Sequence, residues 1–348
     1  MRTGHFREKP GQLIALSDNR TVWGWTLALL VALALAPLVI SAYGLTLMVA
    51  ALIAVVGAIA LNILTGQTGL ISLGQAGFLS VGAYANGILL ADYHVPVWIT
   101  IPAGGAAASL VSLLVGVPSL RLKGLYLAIT TLAFAFIVNH VILYAEPVTH
   151  GPNGLFVNGA RLFGFNVQKG PPLYYLALAM ALATLFATLN LSRTRIGRAW
   201  MAIRDHDIAA RAMGIDLVRY KLLAFVISSF FVGIAGALMS LQLRFINVDV
   251  FALNLSIEAI ASIIFGGLGS VAGATLGAVF LSFLPEALRL SFAALPFGGA
   301  DLLGNNVYEI RGIAYGVIIV LVLRFKPDGL IGMWRDARKY WSQWPLAY

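Results

Sequence analysis

The chain has 348 residues, 60% of them apolar and only 11% charged, with a formal net charge of +9. A water-facing globule carries about a quarter of its residues charged, so a soluble domain is excluded and most of this surface must face lipid. The absence of cysteine removes disulfides, thiolate metal sites, iron–sulfur clusters and a thiol nucleophile, and the five histidines show no metal-binding spacing.

A membrane-spanning helix takes about 20 apolar residues. After a basic tail, 1–21, the first such stretch is 22–41. Ala34 and Ala36 resemble a signal-peptidase site, but the run is too long for a signal peptide core and more spans follow, so a retained helix is expected. The stretch 45–64 comes next. The span 69–90 is interrupted by Gly69, Gly74, Gly77, Gly82 and Gly87. Uninterrupted runs follow at 97–117, 122–144, 173–191 and 222–243. The stretch 256–289 divides around Phe265–Gly–Gly–Leu–Gly–Ser270 and is expected to enter and return as a pair, before a last span at 307–323 and a basic tail, 325–348.

The basic residues lie between these spans instead of on one patch, which argues for orientation and against nucleic acid. The loop 192–221 holds Arg193, Arg195, Arg198, Arg204, Arg211, Arg219 and Lys221 and is therefore cytoplasmic. Counting outward from it puts Arg121, Lys123 and both termini inside and the loop 146–172 outside. The expected fold is all-α: about ten membrane segments, two of them glycine-broken, in a single permease domain, 22–324.

Backbone that leaves the helix inside a bilayer survives only where protein or a watered cavity surrounds it, and transporters place solutes at such breaks. The first break supplies Asn62, Thr65, Gln67, Thr68, Ser72, Gln75 and Gly77, donors and acceptors suited to a zwitterion or amide. Tight packing explains them equally well, so both readings stand. In the second, Gly266, Gly269, Gly273 and Gly277 form a small-residue groove that favours close packing, with Gly266 and Gly269 also candidates for the solute path. The two breaks would run in opposite directions, as in an inverted repeat.

Within the cytoplasmic loop, Ile203, Ile208, Ala212 and Ile215 fall near one face of a short helix that lies at the membrane surface, open to lipid headgroups or a partner. Glu258, Glu286, Arg289, Glu309 and Arg311 fall near outer boundaries, where long side chains reach water, and form no buried acid relay. Asn139 and His140 sit toward an outer helix end, either meeting solute or packing at the interface.

Gly66–Gln–Thr–Gly–Leu–Ile–Ser–Leu–Gly–Gln–Ala–Gly–Phe78, Gly124–Leu–Tyr–Leu–Ala–Ile–Thr–Thr–Leu–Ala–Phe134, Asn153–Gly–Leu155, the run Phe265 to Gly277 and Lys326–Pro–Asp–Gly–Leu330 together resemble the membrane subunits of branched-chain amino-acid ABC importers. In that family a loop of pattern Glu–Ala–Ala–x–x–x–Gly docks on the ATPase. Ala209, Ala210 and Gly214, with Arg211 between them, match it, while Ile208 stands at the glutamate position and no proline follows. The resemblance implies a bacterial inner-membrane protein with a second permease, two ATP-binding subunits and a periplasmic binding protein as partners, and no cofactor. No Gly–Lys–Ser or Gly–Lys–Thr occurs, so ATP hydrolysis is expected on a separate subunit and no covalent chemistry on this one. Import of urea or another amide, and a secondary transporter or channel without an ATPase, are the rival readings.

Overall fold

The computed structural model describes residues 20–119, 122, 124–162, 165–168, 170–293, 312–313, 316–317, 320–322, 324–326 and 328–343. Most of the expected span 307–323, with Glu309 and Arg311, lies outside the described residues, as do Arg121, Lys123 and nearly all of the N-terminal tail.

Helices occupy the other nine expected stretches: α1 (Arg20–Val39), α2 (Ala42–Leu61), α3 (Gln75–Ala91), α4 (Val97–Ser119), α5 (Leu125–Tyr144), α7 (Pro171–Arg193), α10 (Leu217–Leu243), α11 (Leu253–Gly266) and α12 (Val271–Ala293). Short helices α6 (Glu146–Thr149), α8 (Arg195–Asp205) and α9 (Asp207–Ala212) lie between them, and α13 (Gly329–Gln343) follows. Among the described residues, seven helical stretches are long and apolar enough to cross a membrane. The chain is thus an all-α, multi-pass protein.

At the centre α3, α4 and α10 touch backbone to backbone. A Cβ added to Gly104 would lie 2.7 Å from the Gly82 carbonyl, and one on Gly233 would lie 2.6 Å from the Gly104 carbonyl. In lipid, helices gain nothing by hiding apolar surface from water, so such close approach and interhelical hydrogen bonds hold the bundle. Asn86 supplies one of those bonds, donating to Ser240 Oγ at 2.8 Å, and Ser228 supplies another, donating to the Ala60 carbonyl at 2.7 Å.

Helix α1 is attached differently. Pro37 has no N–H, so the Leu33 carbonyl one turn earlier loses its helical donor. The Tyr174 hydroxyl of α7 donates to that carbonyl at 2.8 Å, and Tyr175 donates to the Ala34 carbonyl at 2.9 Å.

At the end of the bundle where α6 lies, residues 151–162 and 165–168 form a small cap. β1 (Leu155–Phe156) pairs antiparallel with β4 (Phe245–Ile246), and β2 (Arg161–Leu162) pairs with β3 (Phe165–Asn166). Asn139 donates to the Phe251 carbonyl at 3.1 Å, while His140 is exposed with its ring tilted against that of Tyr144.

Candidate functional site

The first break begins at the end of α2. There the chain widens into a π-helical turn, Asn62–Gln67, and then runs without helix until Gln75 opens α3. The freed backbone groups are met locally. Thr65 donates to the Leu70 carbonyl at 3.1 Å, Thr68 to the Ile63 carbonyl at 3.0 Å, and Thr131 of α5 accepts from the Leu73 N–H at 3.0 Å. Ser72 Oγ accepts from the Gly74 N–H, and Ser256 of α11 accepts from the Ala76 N–H at 2.9 Å, steadying the start of α3.

The second break, Gly267–Ser270, joins α11 to α12. The returning helix packs close: a Cβ on Gly273 would lie 2.6 Å from the Gly266 carbonyl, and one on Gly277 would lie 2.8 Å from the Gly266 nitrogen. Only a hydrogen at these positions lets the two backbones meet.

The two breaks touch each other. The Gly269 N–H donates to Asn62 Oδ1 at 2.9 Å, and an added Cβ on Gly66 would lie 2.5 Å from that same nitrogen. Gly269 has φ +80°, which an L side chain resists. Arg204 reaches this node from α8: its Nη1 donates to the Gly66 carbonyl at 2.8 Å and occupies the space a Gly269 side chain would need. A charge-assisted bond from the loop thus holds the first break while the guanidinium lies against Gly269 of the second.

Helix α8 is itself well anchored. Trp200 is fully buried among Ile63, Leu64, Leu70 and Phe225, and its indole N–H donates to the Tyr220 carbonyl at 2.8 Å. Beyond the break at His206, α9 closes in a Schellman cap, with Ile215 N–H bonded to the Ala210 carbonyl and Gly214, at φ +83°, bonded to the Arg211 carbonyl. Ala210 is buried, whereas Ile208 and Met213 are 75% and 83% exposed. The single face expected for Ile203, Ile208, Ala212 and Ile215 does not form, because the chain turns at His206: Ile203 is buried on α8 and Ile208 points out from α9.

Cavities lie on either side of the node along the chain. A large one, about 790 Å³, lies between α2, α3, α10, α11 and α12 and runs from Tyr43 to Gly57 on α2. A smaller one, about 230 Å³, is lined by Thr68, Gly69, Arg204 and Lys221 beside the loop. Gln75 lies against the large cavity, 4% exposed, with its Oε1 lacking a hydrogen-bond partner among the described residues.

Residues 43–323 match the model of the family described as the branched-chain amino acid transport system permease component. The chain belongs to that family. This permease is 32% identical to the high-affinity branched-chain amino acid transport system permease protein LivM of Salmonella typhimurium, over 90% of this chain and 76% of that one. It is 33% identical to LivM of Escherichia coli, over 80% of this chain and 68% of the relative. A more distant relative, 27% identical over 62% of this chain and 57% of its own length, is the xylose/arabinose import permease protein XylH of Sulfolobus acidocaldarius.

Of the polar residues read from the sequence as solute contacts, the permease brings Asn62 and Gly269 together at the node and sets Gln75 on the large cavity. Gln67 is buried with its Oε1 unpartnered among the described residues, and Thr68 and Ser72 serve the local backbone. Gly77 allows close contact with α5, since an added Cβ would lie 2.9 Å from Ala135 Cα, and Gly266 packs against Gly273. Arg204 was legible only as one of the loop's positive charges. Nothing in a linear pattern links it to a carbonyl 138 residues away.

Proposed function

We propose that this permease is one of two membrane subunits of an ATP-driven importer that carries branched-chain amino acids across the bacterial inner membrane. The observation that carries this reading is the order of features from α2 into the first break: the large cavity ends near Gly57, the node closes at Asn62 and Gly66, and the second cavity begins at Thr68. A chamber and a vestibule on either side of a closed gate are the minimum parts of alternating access, and the gate is held by a loop arginine. The solute class rests on family membership and on the names of the LivM relatives.

In this reading the chain makes ten crossings with both termini inside. The exposed Ile208 and Met213, with Ala209, Arg211 and Gly214, meet one of two ATPase subunits, which hydrolyse the ATP. Ala210 supports that surface from within. A second permease and a periplasmic binding protein complete the assembly. The sugar permease among the relatives keeps a different solute, such as urea or a small amide, as the second reading.

The deciding measurement is uptake into proteoliposomes holding the assembled complex and its binding protein. Leucine accumulation that requires ATP is expected, and accumulation that persists without the ATPase would refute the importer reading.

A further inference from the structure

The large cavity has a charge distribution that the importer reading leaves unexplained. Its walls are mostly aliphatic, built from Ile53, Ala54, Leu79, Ala259, Ala278 and Leu281, and its volume of about 790 Å³ lies in the range of small-molecule sites, about 300–1,000 Å³. It follows α2 over fifteen residues, Tyr43 to Gly57, a rise of about 21 Å at 1.5 Å per step.

Charge gathers at the end remote from the loop. Arg289 holds Glu286 through Nη2 to Oε1 at 2.6 Å and Nε to Oε2 at 3.1 Å. The Tyr43 hydroxyl donates to Glu286 Oε2 at 2.7 Å, and the guanidinium sits 5.9 Å from the centre of the Tyr43 ring. Glu258 faces the same cavity from α11. The Glu286 side chain is only 17% exposed and that of Arg289 is 56% exposed, so the cation still presents N–H groups outward.

The blind end, nearest Gly57, holds Gln75. Its Nε2 sits over Gly57, where an added Cβ would lie 2.9 Å away, and its buried Oε1 has no donor among the described residues. Ser262 also lines the wall, but its hydroxyl donates to the Ala259 carbonyl at 2.7 Å.

Building on the importer reading, we propose that this cavity is a low-affinity chamber for a free zwitterionic amino acid with an apolar side chain. Arg289 takes the carboxylate at the mouth, and Glu258 and Glu286 take the ammonium. The aliphatic wall accepts the side chain, and Gln75 Oε1 receives an ammonium N–H when the solute reaches the blind end. Both charged ends of the solute are needed, because a carboxylate alone meets two glutamates and an amine alone meets the arginine.

Because the chain has no cysteine, Ser282→Cys gives a single reporter on the cavity wall. The reporter complex, in lipid nanodiscs with cysteine-free partners, is treated with a charged methanethiosulfonate. L-Leucine at ten times a Kd of about 1 mM should slow modification about tenfold, following 1 + [L]/Kd. Leucinamide and 4-methylpentanoate, each lacking one charge, should leave the rate unchanged. In Arg289→Gln the protection by leucine should vanish, and in Arg289→Lys part of it should return. Equal protection by all three compounds, or none by leucine in a complex that imports leucine, overturns the chamber while leaving the importer reading intact. A wild-type complex without ATP-dependent leucine uptake overturns the importer reading itself.

Discussion

Gly269 combines two constraints that a single methyl group would violate. Its φ of +80° places it where side chains are strained by about 1–2 kcal/mol, and the Cβ of Gly269→Ala would run into Arg204 Nη1. The expected outcome is lost leucine uptake and a lower melting temperature in detergent; unchanged values for both would show that the node is not needed. Asn62→Leu tests the opposite side of the same contact. It leaves the Gly269 N–H with no side-chain acceptor, at about 1–3 kcal/mol, and should lower the melting point without preventing membrane insertion. The polar residues of the first break looked alike in sequence because Asn, Gln, Thr and Ser share the same hydrogen-bonding repertoire. Only their neighbours separate Thr68, bonded to its own turn, from Gln75, facing a cavity.

Among the elements, α8 and α9 carry the argument for coupling. If Arg204 transmits motion to the breaks, Arg204→Ala should leave ATPase binding and basal hydrolysis in place while uptake falls about tenfold, the equivalent of losing about 1.4 kcal/mol. Arg204→Lys keeps the charge but not the planar fork and should recover only part of the uptake. Tight coupling retained in Arg204→Ala would rule the link out. At the C-terminal cap of α9, Met213→Asp and Gly214→Arg should weaken co-purification of the ATPase, measured by the subunit ratio after size exclusion. Gly214→Arg also strains the cap, because Gly214 has φ +83°, whereas Met213→Asp alters only an exposed side chain. Helix positions were legible from apolar runs and glycine interruptions. The turn at His206 was not, since it divides a run whose periodicity reads as one helix.

At the scale of the molecule, the positive-inside count makes a prediction that the absence of cysteine renders simple to check. Single substitutions His206→Cys and Phe156→Cys should be modified by an impermeant reagent from opposite faces of the membrane, His206→Cys from the cytoplasm. Labelling of both from one face would refute the proposed orientation. The bundle was readable as a set of spans because lipid demands long apolar helices. Its interior was not readable, because the glycines that join α3, α4 and α10 reveal that something comes close without revealing which helix it is. The carbonyl freed by Pro37 has a further implication, for biogenesis. During synthesis α1 leaves the ribosome well over a hundred residues ahead of α7, so the Leu33 carbonyl enters the bilayer before Tyr174 exists to meet it. An unmet carbonyl in hydrocarbon costs several kcal/mol. The nascent first helix should therefore rest with Leu33 near the headgroups, or beside the insertion machinery, and take its final depth only when the tyrosine pair arrives. Tyr174→Phe would leave that wait unresolved, and crosslinking of α1 to the insertion machinery should persist in nascent chains long enough to include α7.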